Sequence, residues 1–465
     1  MDNRQELFFE SSTTMQSLHR SIAYLRTKES WEDLVPEAVA KSLMKEGILS
    51  PTKIQAKAIT ASLDPANRIA ILQSQNGTGK TLAFLLLTAL RIEKIGPMEY
   101  KQDTYLYPPQ AIIVAHSLDA GRQVLESAKL LEDIFPKIKF GLLTTRDTKK
   151  TITKCQVLIG TPSTIDWGLH HEILYLNKLK VLVVDEAEYL LTNPPGSESL
   201  FKMAQTLVHP DQQLFFFAAD FTKKSLEIIK SLNRADNKVY ESLLPSILRM
   251  PPGISHYYMV SSGSDSIHEI LKMYMADFWR QTLIFVNSRD SAKGLSGWLA
   301  RKRHSVKFLV GEHEPTPSEV KMSPLERERV ISAFKENEIR TLVTTDIAAR
   351  GLDFRQVGLV INYHLPVTHE KANPTNLDVG MYLHRAGRTG RFGDSGIVLN
   401  VLTDPDEIEN IKRIEDAYSI RMTELDSLEG LRLVLTNQIA YADFKMTTDE
   451  SNPLELTTFS GIVAI

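Results

Sequence analysis

Apolar positions along this chain gather in short unbroken runs, bounded by polar residues and separated by stretches with helical periodicity. In order the runs are RIAILQS, QAIIVAH, CQVLIGT, KVLVVDE and QLFFFAA, then QTLIFVN, VKFLVGE, RTLVTTD, LVINYHL and GIVLNVL. Such runs predict strands buried on both faces, and the helix-length segments between them predict parallel sheets with right-handed crossovers. Two series predict two α/β domains in tandem. Between them Pro245, Pro251, Pro252 and Gly253 mark a linker over 244–253. The expected plan is an N-terminal extension 1–30, a first domain 31–243, the linker, a second domain 254–425 and a tail 426–465. Segments 92–109, 311–320 and 366–380, punctuated by Pro or Gly, are expected to be surface insertions.

Composition narrows the class. The 465 residues are 43% hydrophobic and 24% charged, the balance of a soluble chain too long for one core. A net charge of −3 means that any nucleic acid must be held in a local groove, not by a basic coat. The one cysteine, Cys155, excludes an internal disulfide and a cysteine zinc cluster, which fits a reducing compartment. The run Thr81 to Leu90 is far shorter than the roughly 18 residues of a membrane span and reads as a buried helix, so no membrane partner is expected. The first ten residues lack a signal-peptide core. Arg20, Arg26 and Lys28 without a neighbouring acid resemble a mitochondrial address, against which Asp2, Glu6 and Glu10 count. Cytoplasm or nucleus is expected.

Two strand ends carry chemistry. After the first run comes SQNGTGKT (Ser74, Gln75, Asn76, Gly77, Thr78, Gly79, Lys80 and Thr81), opening a helix. A glycine-rich turn there aims backbone N–H groups at phosphate, with Lys80 reaching the β- and γ-phosphates of ATP and the Thr81 hydroxyl ligating Mg2+. Taken alone, with Ser74 where the strict pattern wants Gly, it is also an ordinary strand–turn–helix loop. VLVVDEAEYLL decides between them by delivering Asp185 and Glu186 to a sheet's C-terminal edge. Asp185 can hold the metal through water, and Glu186 can polarise an attacking water.

With these motifs in place the chain resembles the DEAD-box RNA helicases, ATP-dependent enzymes with two tandem RecA-like domains, each a parallel sheet flanked by helices. The resemblance rests on SPTKIQ, the phosphate loop, GTPSTI, DEAE, TTDIAARGLDF and HRAGRTGR, in that order over roughly 31–424. It is similar above all to the nuclear-pore-associated, mRNA-export branch. The resemblance implies Arg388 and Arg391 as arginine fingers, worth about 10³ to 10⁵ in rate. It implies Asp353 on the ribose and Gln55 on the adenine edge. It further implies RNA held by phosphates and 2′-OH groups without sequence readout, at Thr161, Pro162, Arg327, Thr344 and Gly351. The implied partners are RNA, a protein activator and a nuclear-pore protein, with the chain acting as a monomer.

Several positions depart from the family pattern. QLFFFAADF puts Ala218 and Asp220 where the family has the hydroxyls of its Ser-Ala-Thr coupling motif, and Glu188 replaces the last Asp of the neighbouring motif. A lone acid at a strand end is ordinarily a surface residue. Here Asp220 is expected to face Glu188, with His384 as the cation that relieves two close carboxylates. Ile48 stands where an aromatic stacks on adenine, AHSLDA stands for the RNA-phosphate motif PTRELA, and Pro324 replaces a Gln. The leading reading is an RNA-dependent ATPase that unwinds short duplexes or remodels RNA–protein complexes. The alternative is an ATP-gated RNA clamp or scaffold with little unwinding. A double-stranded-DNA translocase is disfavoured by DEAE in company with SPTKIQ.

Overall fold

The structure is a computed structural model that describes residues 27, 29–99, 108–148, 155–192, 196–206, 212–233, 238–251, 253–261, 264–277, 280–311, 320–349, 352, 354, 356–368, 376–390 and 395–434. Nearly all of the expected N-terminal extension, most of the tail and most of the 311–320 insertion lie outside the described residues, as do Gly351, Asp353 and Arg391.

Two seven-stranded parallel sheets carry the fold. The first contains β1 (Asn67–Gln73), β2 (Ala111–Val114), β3 (Phe140–Leu142), β4 (Val157–Gly160), β5 (Val181–Val184), β6 (Gln213–Ala218) and β7 (Lys238–Ser242). The second contains β8 (Ile254–Val260), β9 (Gln281–Phe285), β10 (Val306–Leu309), β11 (Thr341–Thr344), β12 (Val357–Asn362), β13 (Gly396–Leu402) and β14 (Met422–Glu424). The orders are β3-β4-β2-β5-β6-β1-β7 and β10-β11-β9-β12-β13-β8-β14. Counted from its own first strand, each sheet has the same order, so one topology occurs twice without a sequence repeat.

Strand alternation explains why the runs are apolar throughout. Ala70, Leu72, Phe215 and Phe217 enter the core on one face of the first sheet, whereas Ile69, Ile71, Leu214 and Phe216 enter the core on the other. Each side chain points opposite to its neighbour, so a sheet covered on both faces needs every position apolar. Residues 245–253, with a short turn of 3₁₀ helix at Ser246–Leu248, join the sheets.

One buried polar group in the second sheet is thermodynamically exposed to acid. His256 on β8 is 5% exposed, and its Nδ1 lies 2.9 Å from the Tyr382 hydroxyl. Burial pushes its imidazole down to about 3. It is therefore neutral when folded but takes up a proton when unfolded below about pH 6.5. Stability is fully present above that value and should fall by about 1.4 kcal/mol per pH unit as pH drops from about 6.5 toward 3. Urea unfolding at pH 7, 6 and 5 on the natural chain and on His256→Gln checks this. The substitution is expected to flatten the slope over that window, and an unchanged slope would assign the acid sensitivity to other groups.

Candidate functional site

The C-terminal edges of the two sheets face each other across a cleft, and the chemistry-bearing residues project from those edges. On one side is the turn after β1. Gly77 and Gly79 have φ of 75° and 90°, backbone that side chains with a Cβ rarely adopt. A Cβ on Gly79 would also lie 2.5 Å from Gln55 Nε2, so glycine is required there twice over. Gln55 is 3% exposed; its Oε1 accepts from Thr52 N at 2.8 Å, and its Nε2 donates to the Gly79 carbonyl at 3.4 Å. The residue expected on adenine thus also caps its own helix, Lys53–Leu63, and braces the glycine turn.

Lys80 opens the helix Lys80–Ile95, and its Nζ donates to the carbonyls of Ser74 at 2.8 Å and Gln75 at 3.0 Å. Asn76 Oδ1 takes a third bond at 3.3 Å. Ser74 and Thr78 share a hydroxyl–hydroxyl bond of 2.8 Å, which tightens the loop. Burial lowers the Lys80 ammonium, opposed by Asp185, Glu188 and Glu186. Burial first, then the adjacent Glu186, raises the Asp185 carboxyl. Three carboxylates, Asp185, Glu186 and Glu188, act there on Lys80, with Arg388 as the further cation. Such a site fits a divalent cation held by few protein oxygens plus phosphate, with Thr81 and Asp185 as the protein's contribution. Among the described residues no cluster of three or more His, Cys, Asp or Glu forms a closed metal site.

After β5 the chain turns sharply. Glu186 has φ of 49°, strained for a residue with a side chain, and its N–H donates to Asp185 Oδ1 at 3.0 Å. The turn separates the two acids. Glu186 Oε2 lies 3.3 Å from His116 Nδ1, with both side chains about a tenth exposed or less. His116 belongs to AHSLDA, so the divergent motif touches the carboxylate expected to polarise water.

From the second sheet, Arg388 is 4% exposed and bonds through its guanidinium to the carbonyls of His384, at 3.2 Å, and Leu352. Arg385, which the sequence reading passed over, is fully buried and structural. It donates to Asp346 at 2.6 Å, the His364 carbonyl at 2.7 Å and Asn287 at 2.9 Å, and lies 5.1 Å from the Phe285 ring centroid. The two edges touch directly. A Cβ on Gly387 would lie 2.6 Å from Asn76 Nδ2, so the phosphate loop packs on the end of helix Val379–Ala386. A cavity of about 1120 Å³ brings together Gln55, the loop from Asn76 to Thr81, Asp185, Glu186 and, from the opposite sheet, Leu352, Phe354 and Arg388.

The coupling residues come together as expected, except that the direct cation on Asp220 is a different one. His384 Nε2 lies 2.9 Å from Glu188 Oε1, with side chains 2% and 9% exposed. Asp220 pairs instead with Arg249 at 2.9 Å and accepts from Gln73 Nε2 at 3.3 Å. The cation that relieves Asp220 is thus foremost an arginine of the connecting segment, since His384 is held against Glu188. Burial raises the Asp220 carboxyl, opposed by Arg249; Glu188 adds to the rise and His384 more weakly opposes it. Ala218 ends β6, fully buried.

Of the residues expected on RNA, Thr161 caps the helix Pro162–His170, accepting from Thr164 N at 3.2 Å, and Pro162 begins that helix. Thr344 corrects an expectation. It is fully buried at the end of β11, and its hydroxyl donates to the Leu309 carbonyl at 2.8 Å and the Thr345 carbonyl at 3.1 Å, so it is withdrawn from any RNA surface. Arg327 crosses the cleft to Asp119, a residue of AHSLDA that also binds Arg122 at 2.9 Å. Trp31 was missed altogether; it is 1% exposed and donates to the Ile48 carbonyl at 2.8 Å, fixing the turn beside the cavity. Its only signal in the sequence is a lone tryptophan in a polar stretch.

Residues 52–228 match the DEAD/DEAH box helicase family, and residues 265–393 match the helicase conserved C-terminal domain. The chain is 28% identical over 411 residues to an ATP-dependent RNA helicase dbp5 of Aspergillus fumigatus, covering 87% of this chain and 80% of that protein. It is 29% identical over 410 residues to the ATP-dependent RNA helicase DDX19A of Homo sapiens, covering 87% and 80%. Among solved structures it is similar to S. cerevisiae Dbp5 bound to RNA and ADP BeF3, with TM-score 0.75, 27% identity, and coverage of 88% of this chain and 99% of that one. It is also similar to a variant of that protein bound to Nup159, Gle1, IP6 and ADP, with TM-score 0.57, 25% identity, and coverage of 87% and 100%.

Ile48, at the cavity wall, supplies no ring for a nucleotide base. Ile48→Phe is expected to tighten ADP by about 0.5–1.5 kcal/mol, the usual gain of an aromatic pair. Calorimetric titration of ADP into both proteins checks it, and unchanged affinity would mean that another group already stacks there.

Proposed function

The chain belongs to the DEAD-box ATP-dependent RNA helicases, and from that premise we propose that it couples ATP hydrolysis in the inter-sheet cavity to the remodelling of RNA or RNA–protein complexes in mRNA export. The observation that carries the reading is the cavity itself, lined from one sheet by the phosphate loop, Asp185 and Glu186 and from the other by Arg388. Hydrolysis is then tied to closure, because no single sheet holds the whole site.

In this reading the N–H groups of the glycine turn and Lys80 bind the triphosphate. Thr81 and Asp185 would hold a magnesium ion, which would supply positive charge against the bound triphosphate. Glu186, set apart by its strained backbone, orients the attacking water, with His116 positioning the carboxylate. Arg388, now on backbone carbonyls, turns to the transferring phosphoryl group. Arg391 and Asp353 keep the roles that the family resemblance implies. RNA phosphate meets the N-terminus of the helix at Pro162, where N–H groups and the helix dipole favour anions. The working unit is one chain. The likeness to a Dbp5 variant bound to Gle1 and Nup159 supports a protein activator and a nuclear-pore protein as its partners, and action at the pore, in nucleus or cytoplasm.

Phosphate release with and without single-stranded RNA, measured on the natural chain and on Glu186→Gln, tests this. The natural chain is expected to be stimulated by RNA. Glu186→Gln should bind ATP within about twofold while turnover falls at least about 10²-fold. Unchanged turnover would put the chemistry elsewhere, and negligible turnover with RNA would favour the clamp reading.

A further inference from the structure

Resting on that reading, we propose that the segment joining the two sheets acts as the coupling element in this chain, with Arg249 as a positioning residue in place of the missing hydroxyls. The segment is tied to the first sheet at successive points. Leu244 N donates to Gln73 Oε1 at 3.2 Å, at the end of β1. Gln75, inside the phosphate loop, donates from Nε2 to the carbonyls of Leu248 at 2.6 Å and Met250 at 3.2 Å. Arg249, between those two carbonyls, pairs with Asp220 at 2.9 Å. Gln73 closes the circuit by donating to the Ala219 carbonyl at 3.1 Å and to Asp220 at 3.3 Å.

One short peptide therefore reads two places at once. Its carbonyls sense the phosphate loop through Gln75, whose own carbonyl accepts Lys80 Nζ. Its guanidinium holds the end of β6 through Asp220, beside the Glu188–His384 contact that spans the cleft. Met250 and Ala219 both pack into the core of the second sheet, so displacement of either is felt there. A hydroxyl at position 218 or 220 could make only short local bonds. A carboxylate can instead hold a long cation from a neighbouring segment, and the chain supplies one. Neutralising an inconvenient buried acid is the simpler role for Arg249. That role predicts lost stability with no selective loss of turnover, because it gives the pair nothing to transmit.

The two roles separate in a mutant cycle of Arg249→Gln, Asp220→Asn and the double variant, with Arg249→Lys as the charge-conserving control. The readouts are kcat and KM for ATP at saturating oligouridine RNA, kcat without RNA, and the melting temperature. Each single neutral variant is expected to lower RNA-stimulated kcat about tenfold while KM for ATP changes less than about twofold. The double variant should be no slower than the worse single variant, and Arg249→Lys should recover at least about half of the activity. The proposal is overturned if the single variants keep RNA-stimulated kcat within about twofold, if their effects add, or if kcat falls only in proportion to folded protein. Should a neutral variant fail to fold, Arg249→Lys decides through its kcat-to-KM split. If the natural chain itself shows no RNA stimulation, the underlying functional reading fails, and the proposal falls with it.

Discussion

The contact between His384 and Glu188, 2.9 Å across the cleft and almost sealed from solvent, is the constraint on which the rest of the site depends. A polar pair so poorly hydrated is stable only at close range, so it specifies one spacing of the two sheet edges. At that spacing Asn76 meets Gly387, Arg327 meets Asp119 and Arg388 enters the cavity of the phosphate loop. Each sheet is parallel, which delivers every loop after a strand to that sheet's own C-terminal edge. A site divided in this way can be assembled and dismantled by the groups that bind between its halves.

Apart from β8, whose ISHYYMV is interrupted by Ser255 and His256 and only partly buried, the central strands were legible in the sequence because a sheet covered on both faces demands unbroken apolar runs. Of the four edges only β10 was. β3 has three residues, β7 reads KVYES with two exposed positions, and β14 is Met422–Glu424 with two more. An edge strand is defined by the neighbour it pairs with, and no local pattern records that neighbour. The repeated topology was hidden for the same reason, since apolar runs report burial but not order.

Within the site, the phosphate loop and the acids after β5 were readable because their chemistry is local, set by glycines and by the end of a strand. Arg249, Asp119 and His116 owe their importance to partners distant in the chain. Asp119 finds Arg327 from 208 residues away. The sequence also could not rank two cations for one acid. His384 was the natural choice for Asp220, yet the fold gives His384 to Glu188 and Arg249 to Asp220. Thr344 shows the converse error, a residue assigned to an RNA contact whose buried hydroxyl bonds the Leu309 carbonyl of the neighbouring strand and the Thr345 carbonyl beside it.

The divided site makes a direct structural demand. A crystal structure of the full chain with ADP, beryllium fluoride and an oligouridine RNA would locate the γ-phosphate mimic. The fluoride is expected between Lys80 Nζ and the Arg388 guanidinium, within about 3.5 Å of each, with the His384–Glu188 contact intact. A fluoride bound by the phosphate loop alone, with Arg388 still on the Leu352 carbonyl, would contradict a catalytic centre shared by the two sheets.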